Sequence, residues 1–519
     1  MVKIENLSVA FGGSEVVKNV SFTIKDGEIL GVVGESGSGK SVTALTLMGL
    51  VSRNAEITSG RILFDSVTLR EAGKPLDEAL YRSYQGNEIS MIFQEPMTSL
   101  NPTKRAGVQV EEMLLLHTAL EKEERKKRVM ESFASVGLSN PEKVYESYPH
   151  ELSGGMRQRV MIAMAILLHP DLVIADEPTT ALDVTIQRQI VSLLKEINTK
   201  EQNAMLFITH DLNLARQICD RIVVMRNGCV VEQGETEQIF RAPEQEYTKR
   251  LMEAVPSRMK PRVSVFEREA GKREGESPRQ VLTVKDLSVF YQEGGNSPFS
   301  KKKHRCVVEG ADFCVYEGES LGLVGESGCG KTSLSKAVLG IHRDITGEIH
   351  HETKRPQMVF QDPYSSLNPS KTIGWLLQEP LRVERVPKAD REAAAYDMLH
   401  RVGLEDSYFH RKPSQLSGGQ RQRISIAQAL IAHPGFVVAD EPVSALDVTI
   451  QAQIMELLQK LQQEMKLSYL FISHDINVVY HMCDRIMVMK AGHIIETGKT
   501  EEIFRSPKEP YTRLLLGEQ

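Results

Sequence analysis

Two octapeptides constrain what this chain can become. Gly34-Glu35-Ser36-Gly37-Ser38-Gly39-Lys40-Ser41 returns almost letter for letter as Gly325-Glu326-Ser327-Gly328-Cys329-Gly330-Lys331-Thr332. Both fit G-x-x-x-x-G-K-[ST]. Each follows a short apolar run (residues 29–33 and 321–324) and opens a segment with helical patterning. That strand–loop–helix context gives the motif its meaning. Glycines let the loop wrap closely, so that successive backbone N–H groups point inward at phosphate oxygens, and the following helix adds its positive N-terminal end. Lys40 and Lys331 are then placed to reach the β- and γ-phosphates of a nucleotide, and Ser41 and Thr332 to ligate Mg²⁺. A glycine turn without a ligand is the plainer reading of one such match; two in matching contexts argue against it.

The repetition runs along the chain. Leu7-Ser8-Val9 matches Leu287-Ser288-Val289, 280 positions on (287 − 7), whereas the two loop lysines lie 291 apart (331 − 40). The second copy therefore gains residues in the polar segment 292–305. Gln94 and Gln361 are 267 apart (361 − 94), so the first copy then carries 24 more residues (291 − 267), over roughly residues 51–87. These read as an elaborated sheet-and-loop region. From Leu152 and Leu416 the offset stays at 264 (416 − 152), through Tyr247-Thr248 and Tyr511-Thr512. Residues 256–280 belong to neither copy; charged and carrying Pro256, Pro261 and Pro278, they read as a linker. The expected domains are 1–255 and 281–519, joined by 256–280, and a length of 519 residues agrees with more than one core.

Within each copy, short apolar runs alternate with longer helical patterns, which predicts an α/β fold on a mainly parallel sheet. Between Gln94 and Leu152 the pattern turns helical and predicts a helical subdomain. Residues 110–120 are apolar on one side, and the charged run 121–128 reads as a solvated helix face. The basic run 301–305 reads as a solvated loop, with a lipid- or partner-binding patch as the alternative. A net charge of −6 gives no general pull toward nucleic acid. No apolar run of about 18 residues is present to span a membrane. The start Met1-Val2-Lys3-Ile4-Glu5 lacks the apolar core of a signal peptide. Six cysteines without C-x-x-C spacing fit a reducing compartment and suggest no metal cluster. Cys219 and Cys483, equivalent in the two copies, read as small buried thiols. Cys329, inside the second loop, is expected to react with thiol reagents.

Each copy places further chemistry at the ends of apolar runs. Asp176-Glu177-Pro178 and Asp440-Glu441-Pro442 put carboxylates where ligands of open α/β sheets sit. Asp176 and Asp440 would hold Mg²⁺ through its water shell. Glu177 and Glu441 are placed to polarise an attacking water. An acidic strand end is also an ordinary turn or cap, a reading weakened by the phosphate loop upstream. His210 and His474 each follow their aspartate by 34 residues (210 − 176, 474 − 440), a shared spacing that favours hydrogen bonding to the γ-phosphate and the water over a structural role. Leu152-Ser153-Gly154-Gly155-Met156 and Leu416-Ser417-Gly418-Gly419-Gln420 lead into helix-compatible segments with Ser153 and Ser417 as N-caps, their glycines allowing close approach of an anion. A helix start that binds nothing is the ordinary reading of such a pentamer.

Phosphate loop, glutamine, Leu-Ser-Gly-Gly pentamer, Asp-Glu-Pro and histidine, in this order and twice over, resemble the ATPase domain of ABC transporters. The resemblance covers nearly the whole chain and implies two tandem P-loop ATPase domains that hydrolyse ATP with Mg²⁺. It implies nucleotide contacts from Gln94 and Gln361, which also ligate the metal, and adenine stacking by Phe11 and Tyr291. Two such domains close head to tail, so Lys40 would share an ATP with Ser417 and Gly419, and Lys331 with Ser153 and Gly155, while Asp183 and Asp447 communicate across the interface. The stretches Phe93 to Pro102 and Phe360 to Pro369, with the two Tyr-Thr pairs, look like the dipeptide/oligopeptide/nickel importer subfamily. There the ATPases are commonly separate subunits; here they are fused. Residues 252–280 lack the cysteine cluster of many first-type subunits, so no iron–sulfur cluster is expected. The implied role is the energising subunit of an importer at the cytoplasmic face of the membrane, with two permease subunits and, through them, a solute-binding protein. Peptides, glutathione-like compounds, nickel and metal chelates are all compatible solutes, and no nucleic acid is expected. The competing reading is a soluble tandem ATPase acting on ribosomes. Such chains resemble this one but carry a long charged helical linker, whereas this linker spans 25 residues (256–280) broken by prolines. A DNA-repair ATPase would need coiled-coil or zinc-binding insertions that the sequence lacks.

Overall fold

The computed structural model describes residues 1–94, 99–180, 182, 184–253, 279–293, 303–353, 355–362, 366–444 and 446–516. They form two compact units whose main division falls at residue 255, with Asp447–Thr449 grouped with the first. In the first, a six-stranded sheet runs in the order Cys229–Glu235, Arg221–Arg226, Ile29–Val33, Ala204–Thr209, Leu172–Asp176, Ile89–Ile92. Its neighbours pair in parallel except at the Cys229–Glu235 edge. Ile29–Val33, Leu172–Asp176 and Ala204–Thr209 are buried along their whole length. That is why they read as unbroken apolar runs rather than alternating ones. Alternate residues feed different cores: Ile29, Val33, Met205 and Phe207 pack with Val110, Leu114 and Phe133 of the helices. Leu30, Val32, Leu206 and Ile208 pack with Val2, Ile4 and Leu7 of an antiparallel sheet. The parallel sheet is thus a middle layer, covered on one face by strands and on the other by helices.

The antiparallel sheet pairs Val2–Phe11 with Ser14–Ile24 and Ala55–Phe64, and the latter with Val67–Glu71. Ala55–Phe64 has its counterpart in Ile345–His351, whereas Val67–Glu71 and the helix Glu78–Tyr84 fall within the surplus of the first copy. The helical segment comprises Ala106–His117, Lys122–Ser135 and Pro141–Glu146. Its charged face is exposed as expected, apart from Arg125, which is largely buried against Glu111 at 3.0 Å.

The second unit repeats the design. Its six-stranded sheet has the order Gln357–Val359, Phe436–Asp440, Ser468–Ile472, Ser320–Val324, Arg485–Lys490, His493–Lys499. The antiparallel pair Gln280–Glu293 and Lys303–Tyr316 is longer than its counterpart, so the inserted residues extend a hairpin. Two expectations shift accordingly. The first strand starts at Gln280, inside the expected linker, and Lys303, His304 and Arg305 belong to a strand rather than a loop. Lys301, Lys302 and residues 256–278 lie outside the described residues. Among the described residues no helix is long and apolar enough to cross a membrane.

Candidate functional site

Parallel pairing aligns the carboxyl ends of three strands in each unit: Val33 is level with Thr209, and Asp176 with Ile208. The residues that follow these ends are Gly34, Glu177 and His210. The loop begins under tight constraint, since a Cβ on Gly34 would lie 2.1 Å from the Met225 carbonyl oxygen, and on Gly325 2.2 Å from that of Met489. Its tip, Ser36-Gly37 or Ser327-Gly328, is exposed, whereas Ser38, Gly39 and Lys40, and Cys329, Gly330 and Lys331, are buried. The Lys40 ammonium donates to the carbonyls of Gly34 and Glu35, both at 2.9 Å, and Lys331 to those of Gly325 and Glu326, both at 2.8 Å. Burial lowers the Lys40 pKa, against the charges of Glu177 and Asp176. The buried Ser38 hydroxyl has no hydrogen-bond partner.

Ser41 Oγ donates to Asp176 Oδ1 at 3.0 Å, and the equivalent Thr332 hydroxyl favours the ionised form of Asp440. Burial, aided by the neighbouring glutamate, pushes both Asp176 and Asp440 up to about 6. Paired hydroxyl and carboxylate oxygens are the donor set a hard cation prefers. Among the described residues no group of three or more His, Cys, Asp or Glu is arranged to hold a metal. These few oxygens therefore suit a Mg²⁺ that arrives with phosphate and keeps its waters.

Three side chains converge on one oxygen of Glu177. Gln94 Nε2 donates to Oε2 at 3.1 Å, Thr180 Oγ1 at 3.0 Å, and His210 Nδ1 lies 3.0 Å away. In the second unit Gln361 Nε2 and His474 Nδ1 approach Glu441 Oε2 at 2.8 and 3.1 Å. Burial opposes ionisation of Glu177 and is the largest influence. The hydrogen bond and charge of His210, with Lys40, nevertheless bring the carboxyl below its ordinary value. Burial likewise opposes protonation of His210, and Glu177 outweighs it, so the imidazole is raised. Glu441 and His474 behave alike. Both glutamates adopt positive φ, 46° and 48°, a backbone state that a non-glycine residue holds only when its surroundings impose it.

Ser153 caps the helix Gly154–Ile166 and Ser417 the helix Gly418–Leu430. The two pentamers differ at their fifth residue, with a local consequence: Gln420 Oε1 accepts from the Ser417 N–H at 3.0 Å, completing a capping box, and the matching Met156 has no oxygen to do so. Gly155 and Gly419 open these helices. Phe11 is half-buried at the end of its strand. Tyr291 is exposed but stacks on His342 with ring centroids 4.5 Å apart. Asp447 immediately precedes the helix Val448–Met465, and Asp183 lies outside the described residues. Cys219 and Cys483 are buried, as expected. Cys329 corrects an expectation: it is only 7 % exposed, and burial raises its thiol pKa, which works against a reactive thiolate. Thr180 escaped the sequence reading, although its spacing of three from Glu177 was visible.

Known proteins resemble this chain across nearly its whole length. The "ABC transporter" family model matches residues 17–180 and 308–444, and that of the "Oligopeptide/dipeptide transporter, C-terminal region" matches 231–281 and 495–518. The chain is 43% identical to the peptidoglycan transport ATP-binding protein YejF of Agrobacterium fabrum, over 99% of this chain and 96% of that one. It is 40% identical to the glutathione import ATP-binding protein GsiA of Pectobacterium atrosepticum, over 99% and 89%. Among solved structures, an archaeal ribosome recycling factor bound to a ribosomal stalk protein aligns over 96% of this chain and 90% of that one, with a TM-score of 0.63. At 20% identity this likeness concerns the fold alone. Two phosphate loops backed by paired acid–histidine ends, and relatives matched across both halves, lead to one conclusion: the chain belongs to the ABC transporter family, as an ATP-hydrolysing protein with two ATPase domains in one polypeptide.

Proposed function

We propose that this protein energises the import of peptides or related small solutes, such as glutathione-like compounds, through two separate permease subunits supplied by a solute-binding protein. It would act peripherally, at the cytoplasmic face of the membrane. The observation that carries this reading is the oligopeptide/dipeptide transporter region, matched near the end of each ATPase domain, at 231–281 and 495–518. The names of the relatives, peptidoglycan transport and glutathione import, support the same solute range. Nickel and metal chelates stay within its reach.

The chemistry assigned to each unit follows from its geometry. The loop amides and Lys40 receive the β- and γ-phosphates of ATP. Ser41, Asp176 and Gln94 would hold Mg²⁺, which when bound neutralises the phosphate charge and orients the terminal group. Glu177, ionised and pinned through Oε2, presents its other oxygen to the attacking water. His210, with Nδ1 committed to Glu177, offers Nε2 to the γ-phosphate. Lys331, Thr332, Asp440, Gln361, Glu441 and His474 take these roles in the second unit. Head-to-tail pairing within the chain completes each site, Ser417 and Gly419 serving the Lys40 loop and Ser153 and Gly155 the Lys331 loop. The segment from residue 256 up to the strand that starts at Gln280 acts as the linker that permits it.

The pairing has a directional test. In a Glu441→Gln background the remaining turnover belongs to the Lys40 site. Ser417→Arg should abolish it and Ser153→Arg should spare it; the opposite pattern rejects the pairing. The importer reading is tested by reconstituting the chain with its permeases and measuring ATPase stimulation by a panel of solute-loaded binding proteins. A peptide-loaded protein should stimulate several-fold. Cosedimentation with ribosomes instead of membranes would overturn the reading.

A further inference from the structure

The Tyr-Thr pair shared by both halves has no part in the steps above. Tyr511 lies in the helix Pro510–Leu516, within the matched oligopeptide/dipeptide region, and its side chain is buried. Its hydroxyl oxygen accepts a hydrogen bond from the Glu326 backbone N–H at 3.1 Å. That N–H and the Gly325 carbonyl belong to one planar peptide group, and the carbonyl accepts the Lys331 ammonium at 2.8 Å. The group is therefore held at both ends, and rotating it would break both bonds. Glu326 is tied again through its own carbonyl, which accepts Lys331 at 2.8 Å and the Cys329 N–H at 3.3 Å.

The tyrosine is itself braced. The Lys490 ammonium lies 4.8 Å from the Tyr511 ring centroid, next to Met489, whose carbonyl backs Gly325. The Glu496 carboxylate accepts the N–H groups of Lys508 and Glu509 at 2.8 and 3.2 Å, fixing the chain that enters the helix. The first unit has the same parts: Arg226 over the buried Tyr247 at 4.6 Å, and Glu232 accepting from Glu244 and Gln245 at 2.8 and 3.1 Å. There the hydroxyl faces the Glu35 amide without a hydrogen bond of good geometry.

We propose that Tyr511 is a positioning residue for ATP binding by the second phosphate loop. Through the Gly325–Glu326 peptide group it keeps Lys331 and the loop amides in their phosphate-receiving geometry, which makes the C-terminal region a working part of the nucleotide site. The proposal rests on the reading of this loop as an ATP site.

Tyr511→Phe keeps the ring under Lys490 and removes only the hydroxyl. In the full chain carrying Lys40→Ala, so that the second loop supplies the signal, it should weaken equilibrium binding of a fluorescent ATP analogue about three- to ten-fold, the effect of one hydrogen bond. The melting temperature without nucleotide should fall by no more than a few degrees, the cost of one hydrogen bond. In the otherwise native chain, KM for ATP should rise with kcat little changed. Glu326→Pro deletes the N–H from the other side, and in that background Tyr511→Phe should add nothing. Unaltered affinity in Tyr511→Phe, or an equal loss in the Glu326→Pro background, overturns the positioning role. If the Lys40→Ala parent fails to bind the analogue, the reading of the loop falls, and the role built on it falls too.

Discussion

The double variant Glu177→Gln/Glu441→Gln is expected to hydrolyse ATP at least about 100-fold more slowly than the native chain, while still binding ATP, because removing a positioned base, the role proposed for both glutamates, costs about 10²–10⁴-fold. The amide matches the carboxylate in shape and still offers an oxygen to Gln94 or Gln361, so the fold of the site survives. It loses the negative charge that His210 and His474 help maintain, and with it the capacity to draw a proton from water. Both units possess the full set of groups, so each single variant should lose a large share of steady-state turnover. A single variant with native turnover would show that its glutamate is not catalytic. Retained binding separates lost chemistry from a collapsed site, and equilibrium dialysis with labelled ATP measures it.

Gly34→Ala is expected to weaken nucleotide binding by the first loop at least about 30-fold, from strain and overpacking of about 2–5 kcal/mol. Gly34 sits at φ +150°, and a Cβ there meets Met225 O at 2.1 Å, an approach that only backbone movement relieves. Gly37, at the exposed loop tip, is a useful contrast. Its φ of +78° also disfavours a side chain, but nothing lies within 4 Å of a Cβ there. Gly37→Ala should therefore be milder than Gly34→Ala in the same titration. Equal losses would show that backbone conformation, and not the strand behind the loop, sets the requirement.

Most of this architecture was legible because it is written locally. Residues 29–33, 172–175 and 204–208 are apolar at every position, which marks buried parallel strands, and each is followed at once by its chemistry. The duplication added what one copy could not, for equal spacing in two contexts separates Asp176 and His210 from ordinary strand-end residues. What escaped the sequence depends on contacts between distant residues. The convergence of Gln94, Thr180 and His210 on a single oxygen of Glu177 is set by three separate backbone segments. The Glu326 N–H donates to the hydroxyl of Tyr511, a residue 185 positions away. The positive φ of Glu177 and Glu441 has no sequence signature, since glutamate has no preference for it. Cys329 was misjudged for a related reason: its place in a loop suggested exposure, yet the loop folds its fifth residue inward against Gly325. The basic run was misjudged because polar composition resembles a loop even where it prolongs a hairpin.

The lysine tethers have one more consequence. Lys40 and Lys331 already spend their ammonium protons on carbonyls of their own loops, at 2.8–2.9 Å. The cation that must meet phosphate is thus kept from wandering into solvent, and the loop is drawn into a ring around it. The entropy lost in shaping that ring is incurred when the chain folds, not each time nucleotide arrives. Departure of product then returns the ring to a resting shape it already owns. On the proposed reading, a loop shaped in advance need not reorder for each nucleotide it receives.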